Sequence, residues 1–219
     1  MSKSQSFFRY AVAVAVALMI AFAASSSSAD ILDEWGSVTP PSPPELKAVT
    51  IDRSTTAVLI LDMMKTNCGA RPRCVASVPN VKRLHDAAQH AGVMMWYSLV
   101  GDKDQATPAN MIDPALAPRD DSEWEFQNGP DKLLGSHLEE KLKAHNIKTV
   151  VLCGTSFQGV GIGTGTELAQ RGYKIIIPVD CLASEDAYRE QYAAWHLAKG
   201  GPAAVTSQVT LTRTTMIKF

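Results

Sequence analysis

Residues able to do chemistry follow three apolar runs that have the character of buried strands. Asp62 follows TAVLIL, Asp180 follows KIIIPV, and the glycine-rich turn 154–161 follows KTVVLC. Ligands bind beyond the carboxyl ends of parallel strands, so these three features are predicted to border one crevice. Within it we predict Asp62 as a catalytic acid or base, and Ser156, Gly159 and Asp180 as substrate-binding residues.

The glycine-rich turn has three interpretations, which are a phosphate cradle, a nucleophile turn and a site of close backbone packing. A phosphate loop requires a Lys-Ser/Thr pair that is absent here, and the spacing GxGxGxG departs from the dinucleotide fingerprint GxGxxG. Ser156 has no histidine near it in sequence, which disfavours a serine hydrolase. Glycines at the start of a helix favour close approach of the backbone to a neighbouring helix, a second subunit or a ligand.

Predicted strands and helices alternate along the chain, which is typical of an α/β fold. The predicted strands are Thr56–Leu61, Val93–Val100, Lys148–Cys153, Lys174–Val179 and Gln208–Leu211. The predicted helices are Val78–Ala91, Ser136–His145, Thr164–Arg171 and Ala187–Lys199. We expect a single-domain three-layer sandwich with a mainly parallel central sheet.

The N-terminal segment has the pattern of a secretory signal peptide, with two positive charges followed by an apolar run and small residues. We predict a signal peptide over residues 1–29 cleaved after Ala29, with an uncleaved membrane anchor as the alternative. Residues 30–50 are predicted to form a Pro-rich tether and residues 51–219 the folded domain. A periplasmic or secreted protein with no stable membrane span after cleavage is the expectation.

Export affects how the four cysteines are interpreted, because cysteines in an oxidising compartment are usually paired. Cys68 and Cys74 bracket a short loop that a disulfide can close. Cys153 and Cys181 each end a predicted strand, so they pair only if those strands are neighbours. Zinc is the alternative, but there is no CxxC and the histidines do not cluster with the cysteines. With a net charge of −1 and no basic stripe, the chain does not have the pattern of a nucleic-acid binder.

Three segments, VLILDMMKTNCG, SHLEEKLKAHNIKTVVLCGT and GTELAQRGYKIIIPVDCLAS, together resemble the isochorismatase-like hydrolases, also called the cysteine hydrolase family. The resemblance implies an Asp-Lys-Cys triad with Asp62 as the aspartate. Counting along the motifs puts Val160 at the cysteine position and Gln127 at the lysine position. Valine cannot attack a carbonyl, and glutamine supplies no positive charge. Lys132 is several residues out of register and would require a rearranged loop.

Two functions follow for a family member that lacks this cysteine and lysine. One is a non-catalytic protein, or pseudoenzyme, that binds a small molecule or a partner. The alternative is an active hydrolase of small amides or vinyl ethers with a rearranged site, in which Asp62 is the general acid or base. Cys68 is a further candidate nucleophile unless it is bridged. Without the lysine we expect the pKa of Asp62 to be raised, whereas a purely structural aspartate would have a lowered pKa.

No cofactor is predicted, and the stretch SLVGDKDQ has no Asp-x-His pair of the kind found in the metal site of nicotinamidase-type relatives, so no metal is predicted either. A small-molecule ligand is the expected partner. A homo-oligomer stays open, because the resemblance implies a family whose members commonly associate.

Overall fold

The computed structural model of the protein describes residues 30–119 and 124–219. The chain divides into two compact units, Met1–Ser42 and Pro43–Phe219. The described part of the first unit contains a short helix α1 (Ile31–Glu34), capped where the Asp30 side chain accepts a hydrogen bond from the Leu32 N–H at 2.9 Å. The predicted signal peptide lies outside the described residues.

The second unit is built on a seven-stranded sheet in which every named pairing is parallel. Its strands are β2 (Thr56–Leu61), β3 (Met94–Leu99), β4 (Trp124–Phe126), β5 (Thr149–Thr155), β6 (Lys174–Pro178), β7 (Leu182–Ala183) and β8 (Val209–Thr212). They lie in the order β4-β3-β2-β5-β6-β8, with β7 paired to the end of β5. Two short strands, β1 (Val49–Thr50) and β9 (Ile217–Lys218), form a separate parallel pair. The α/β prediction is confirmed.

Helices cover both faces of the sheet and bury alternate residues of its strands. They are α2 (Pro72–His90), α3 (Leu138–Ala144), α4 (Ile162–Gln170), α5 (Ala187–Trp195) and α6 (Ala203–Thr206). Every residue of β2 is buried, with Val58 and Ile60 in one apolar cluster and Leu59 and Leu61 in the other. A strand buried on both faces has a continuous apolar sequence, which is why TAVLIL was recognisable. The three-layer arrangement is therefore as predicted.

The N-terminal boundary of the second unit lies upstream of residue 51. The Lys47 N–H donates to the Leu211 carbonyl at 2.9 Å, and Val49 and Thr50 pair with β9. Residues 43–50, assigned from the sequence to the tether, thus belong to this unit in the structure. Among residues 30–119 and 124–219, no helix has the length and apolar character needed to cross a membrane.

The Cys68–Cys74 disulfide expected from the sequence is present, and so is the Cys153–Cys181 disulfide, which the sequence left open. Cys68 and Cys74, whose Cα atoms are 5.3 Å apart, close the loop between β2 and α2. Cys153 lies in β5 and Cys181 directly precedes β7, and their Cα atoms are 5.2 Å apart. The second pair forms because β7 runs beside the end of β5 and brings the two chains together. None of the four cysteines is a free thiol, so Cys68 is not available as a nucleophile or metal ligand.

Candidate active site

Asp62 lies immediately after β2 with its backbone in the left-handed region, at φ 58°. Its N–H donates to the Ser98 carbonyl at 3.1 Å, and its own carbonyl accepts from the Asn67 side-chain amide at 2.9 Å. Ser98 is its neighbour because the register of β2 and β3 pairs Leu61 with Ser98. These bonds hold the Asp62 carboxyl at the carboxyl edge of the sheet, as the sequence predicted.

The Asp62 carboxylate binds a buried lysine. Lys132 is fully buried, and its Nζ lies 2.9 Å from Asp62 Oδ2. The Ser98 hydroxyl donates to the other carboxylate oxygen, Oδ1. Lys132 Nζ also donates to the Gln127 carbonyl at 2.6 Å. A carboxylate and an amine thus form a buried ion pair at the carboxyl edge of the sheet.

The side chain of Gln127, the residue that the sequence analysis put at the lysine position, does not bind Asp62 in the structure. Its side chain stays within its own loop, where Nε2 donates to the Leu134 carbonyl and Oε1 accepts from the Gly129 N–H at 2.6 Å. Only its backbone carbonyl reaches Lys132. Counting back from Leu138 assumed a loop of fixed length, and the irregular path of residues 127–136 breaks that assumption.

The start of α4 holds the Lys132 loop in place. The Thr164 hydroxyl donates to the Pro130 carbonyl at 3.0 Å and accepts from the Lys132 N–H at 3.1 Å. A Cβ on Gly163 would lie 2.7 Å from the Pro130 carbonyl oxygen, closer than packing allows. Gly154 has φ +136°, and a Cβ there would lie 2.0 Å from the Leu61 carbonyl oxygen. These two glycines permit close backbone approach, so the packing interpretation of the glycine-rich stretch is confirmed at both positions.

Burial is the main influence on the ionisation of the pair. It raises the pKa of the Asp62 carboxyl, and the nearby Lys132 ammonium offsets this only in part. Burial also lowers the pKa of Lys132, against the opposing effect of Asp62. The direction expected for the Asp62 pKa is confirmed, but the cause is desolvation rather than an absent lysine. A carboxyl with a raised pKa can exist as a proton donor closer to neutral pH than an exposed aspartate.

The turn after β5 forms the wall of the cavity that faces Asp62. This cavity has a volume of about 230 Å³, and the residues that line it include Asp62, Asn67, Asn128, Ser156, Gly159 and Val160. Val160 is buried and presents no nucleophile. The N–H groups of Gly159 and Val160 both donate to the Ser156 carbonyl, at 3.0 and 2.8 Å. The Ser156 hydroxyl makes no hydrogen bond with the described residues.

Asp180 does not line this cavity, contrary to the prediction that it borders the same crevice. Its carboxylate accepts hydrogen bonds from the Thr214 N–H and hydroxyl, both at 2.9 Å. The reason is that β6 ends at Pro178 and the chain turns through Val179–Cys181 to form β7. It is β7, not Asp180, that continues the sheet edge beside β5.

Sequence reasoning identified Asp62, Ser156, Gly159 and Val160 as neighbours, and the structure brings them to one cavity. It did not identify Ser98 or Asn67, and it considered Lys132 to be out of register with the lysine position. Ser98 carried a usable signal, since it stands near the end of a predicted strand adjacent to β2. Among the described residues, no group of three or more His, Cys, Asp or Glu side chains is placed to hold a metal ion.

Comparison with known proteins gives a family match over most of the chain. Residues 56–209 match the family model of the isochorismatase domain. No curated protein matches the chain.

Among solved structures, a cysteine hydrolase from Pseudomonas syringae pv. phaseolicola 1448A is 21% identical with a TM-score of 0.65, covering 78% of this chain and 94% of that one. N-carbamoylsarcosine amidase from Thermoplasma acidophilum is 18% identical with a TM-score of 0.58, and the match covers 73% of this chain and 96% of the amidase chain. Nicotinamidase from Bacillus subtilis is 13% identical with a TM-score of 0.57, and the match covers 73% of this chain and 99% of the nicotinamidase chain. At these identities the likeness shows the fold alone.

Proposed function

Because the chain belongs to the isochorismatase family, we propose that it is a small-molecule hydrolase that works without a cysteine nucleophile. Asp62 is the general acid and base, and Lys132 holds its carboxyl in place. The observation that carries this proposal is the 2.9 Å contact between Lys132 Nζ and Asp62 Oδ2. Asp62 also lines a cavity whose volume of about 230 Å³ fits only a small ligand.

A vinyl ether is the substrate class that suits this set of groups. The Asp62 carboxylic acid transfers its proton to the terminal alkene carbon, which leaves an oxocarbenium ion. Water then adds to the cationic carbon and gives a proton back to the Asp62 carboxylate. The resulting hemiketal separates into a carbonyl compound and an alcohol. No thiol takes part, so valine at position 160 is compatible with this route.

Amide hydrolysis is less well supported by the same residues. Attack on an amide by the family route requires a thiolate, and all four cysteines are bridged. It also requires free N–H groups for the oxyanion, whereas those of Gly159 and Val160 bind the Ser156 carbonyl. The same two observations favour the second candidate function, a non-catalytic protein that binds a small molecule in this cavity.

The proposal predicts a hydrolytic activity that is insensitive to thiol reagents. The wild-type protein should hydrolyse at least one member of a panel of small carboxylated vinyl ethers, and treatment with iodoacetamide should leave the rate unchanged. The measurement is the initial rate before and after alkylation, with a panel of small primary amides run in parallel. A rate that is lost on alkylation would show that a thiol does the chemistry. If no compound of either panel is hydrolysed, the non-catalytic binding function is favoured.

Val160→Cys provides the matched positive control for this experiment. The new thiol would line the same cavity as Asp62 and would be the one unbridged cysteine among the described residues. Iodoacetamide should then inactivate the variant by filling the cavity. The substitution shortens the side chain slightly and is expected to cost little in packing.

We also propose that the chain is exported and cleaved after Ala29. The two disulfides support this, because such bridges persist in oxidising compartments. Intact mass spectrometry of protein recovered from its host should give a chain that begins at Asp30, with two hydrogens fewer per bridge than the reduced form. Protein that retains residues 1–29, or whose cysteines are alkylated without a reductant, would contradict export.

A further inference from the structure

The cavity that contains Asp62 has to hold a water molecule together with the substrate in the proposed reaction. Its volume of about 230 Å³ leaves room for one beside a small substrate, because a water molecule accounts for about 30 Å³. The Asp62 carboxylate takes a proton from this water and thereby fixes one of its two O–H bonds. A second hydrogen-bond acceptor is needed to hold the water so that its oxygen reaches the cationic carbon.

The two asparagines that line the cavity do not supply this acceptor, because both side-chain amides are bound to the protein. The Asn128 oxygen accepts from the Gly101 N–H at 2.9 Å, and its nitrogen donates to the Gly101 carbonyl at 3.1 Å. The Asn67 nitrogen donates to the Asp62 carbonyl at 2.9 Å, and its oxygen accepts from the Arg71 guanidinium. These amides hold the walls of the cavity together.

Ser156 lines the same cavity with a hydroxyl that makes no hydrogen bond with the described residues. The side chain is half-buried. Its backbone is held in place, because the Ser156 carbonyl accepts from the N–H groups of Gly159 and Val160 at 3.0 and 2.8 Å. A Cβ on Gly159 would lie 3.2 Å from Ser156 Oγ, so glycine at this position leaves space beside the hydroxyl. A serine hydroxyl can donate one hydrogen bond and accept two.

The other described residues of the lining offer no polar side chain to a water molecule. Val100, Pro130 and Val160 are apolar, and Gly129 and Gly159 have no side chain. Besides the Asp62 carboxylate, the Ser156 hydroxyl is thus the one side-chain acceptor of the described lining that is not already bound.

We propose that the Ser156 hydroxyl orients the water molecule that adds to the oxocarbenium ion, an inference that rests on the proposed function. The water donates one hydrogen bond to Ser156 Oγ and the other to the Asp62 carboxylate, whose oxygens each accept more than one hydrogen bond. The water oxygen forms the bond to the cationic carbon, and the proton that it loses goes to Asp62. Ser156 keeps its own proton throughout.

Ser156→Ala should lower kcat for vinyl ether hydrolysis by about tenfold, because the water is no longer oriented. KM should change by less than about twofold, since the hydroxyl binds water rather than substrate. The rates are measured on folded full-length mature protein, verified by near-UV circular dichroism. Ser207→Ala is the matched control, because it removes an exposed serine hydroxyl outside the cavity and should leave both constants unchanged.

Hydrolysis in D₂O gives a second readout that a structural role of Ser156 would not move. When water adds slowly, the oxocarbenium ion returns a hydrogen to the Asp62 carboxylate and the vinyl ether forms again. Vinyl ether recovered from Ser156→Ala at half conversion should therefore contain deuterium at its terminal alkene carbon, as measured by mass spectrometry, whereas that from wild type should contain little. Ser156→Thr keeps the hydroxyl and should behave like wild type.

The inference is overturned if Ser156→Ala keeps the wild-type kcat and its recovered substrate contains no additional deuterium. It is also overturned if Ser156→Thr exchanges deuterium as Ser156→Ala does, or if Ser156→Ala raises KM alone, because the side chain would then shape the cavity or bind substrate. A wild-type protein that neither hydrolyses nor exchanges any vinyl ether would contradict the proposed function itself, and this inference with it.

Discussion

Asp62→Asn should lower kcat/KM for the hydrolysed substrate by about 10²–10⁴-fold, the range by which a positioned acid or base accelerates a reaction. Asparagine has nearly the same shape but cannot deliver a proton. The rate of the folded variant, verified by near-UV circular dichroism, is compared with that of wild type on the substrate identified from the vinyl ether panel. Asp104→Asn, which removes an exposed carboxyl that does not line the cavity, should retain the wild-type rate.

The pH dependence of the rate gives this prediction a second readout. Burial raises the pKa of the Asp62 carboxyl, so the protonated acid persists to higher pH than for an exposed aspartate. The general acid acts only when protonated, so the wild-type rate should be highest at low pH and fall as pH rises through that raised pKa. The residual rate of Asp62→Asn should lack this decrease. A variant that keeps both the wild-type rate and the pH profile would leave Asp62 without a catalytic role.

The sequence predicted the parts of the site that stand on the central strands. The run TAVLIL is apolar throughout because β2 is buried on both faces, and its end therefore located Asp62 correctly. The run before Gly154 located the turn with Ser156 and Val160 in the same way. At these positions burial dictates the residue type, so the strands and the residues that follow them can be predicted from the sequence.

The irregular segments could not be predicted from the same signals. Residues 127–136 form a loop whose path depends on two residues of α4, a helix distant from the loop in sequence. The Thr164 hydroxyl binds the loop, and Gly163 has no Cβ that would prevent its close approach. No periodicity within the loop shows that Lys132 rather than Gln127 reaches Asp62. The pairing of β7 with β5 involves only two residues of each strand, too few to give a recognisable hydrophobic pattern in the sequence. Because β7 occupies the sheet edge beside β5, Asp180 lies outside the site.

Lys132→Met should destabilise the protein by about 3–5 kcal/mol near neutral pH, because removing one partner of a buried ion pair leaves the other charge uncompensated. The variant also loses the hydrogen bond to the Gln127 carbonyl. The free energy of unfolding is obtained from urea titrations monitored by circular dichroism. The double variant Asp62→Asn/Lys132→Met, which buries neither charge, should be more stable than Lys132→Met alone. Lys143→Met, which breaks the exposed pair with Glu139, should cause no measurable change.

The pH at which Lys132→Met is destabilised distinguishes a lost charge pair from lost packing. Without the ammonium that lowers it, the pKa of Asp62 should rise further above its value in the unfolded chain. Between those two pKa values the native state binds more protons than the unfolded state, so the free energy of unfolding falls as pH rises. The destabilisation should therefore be small in acid, where Asp62 is protonated in both states, and grow towards neutral pH. A loss that is equal at all pH values, or a double variant no more stable than the single one, would show that Lys132 acts by packing and that its charge does not support Asp62.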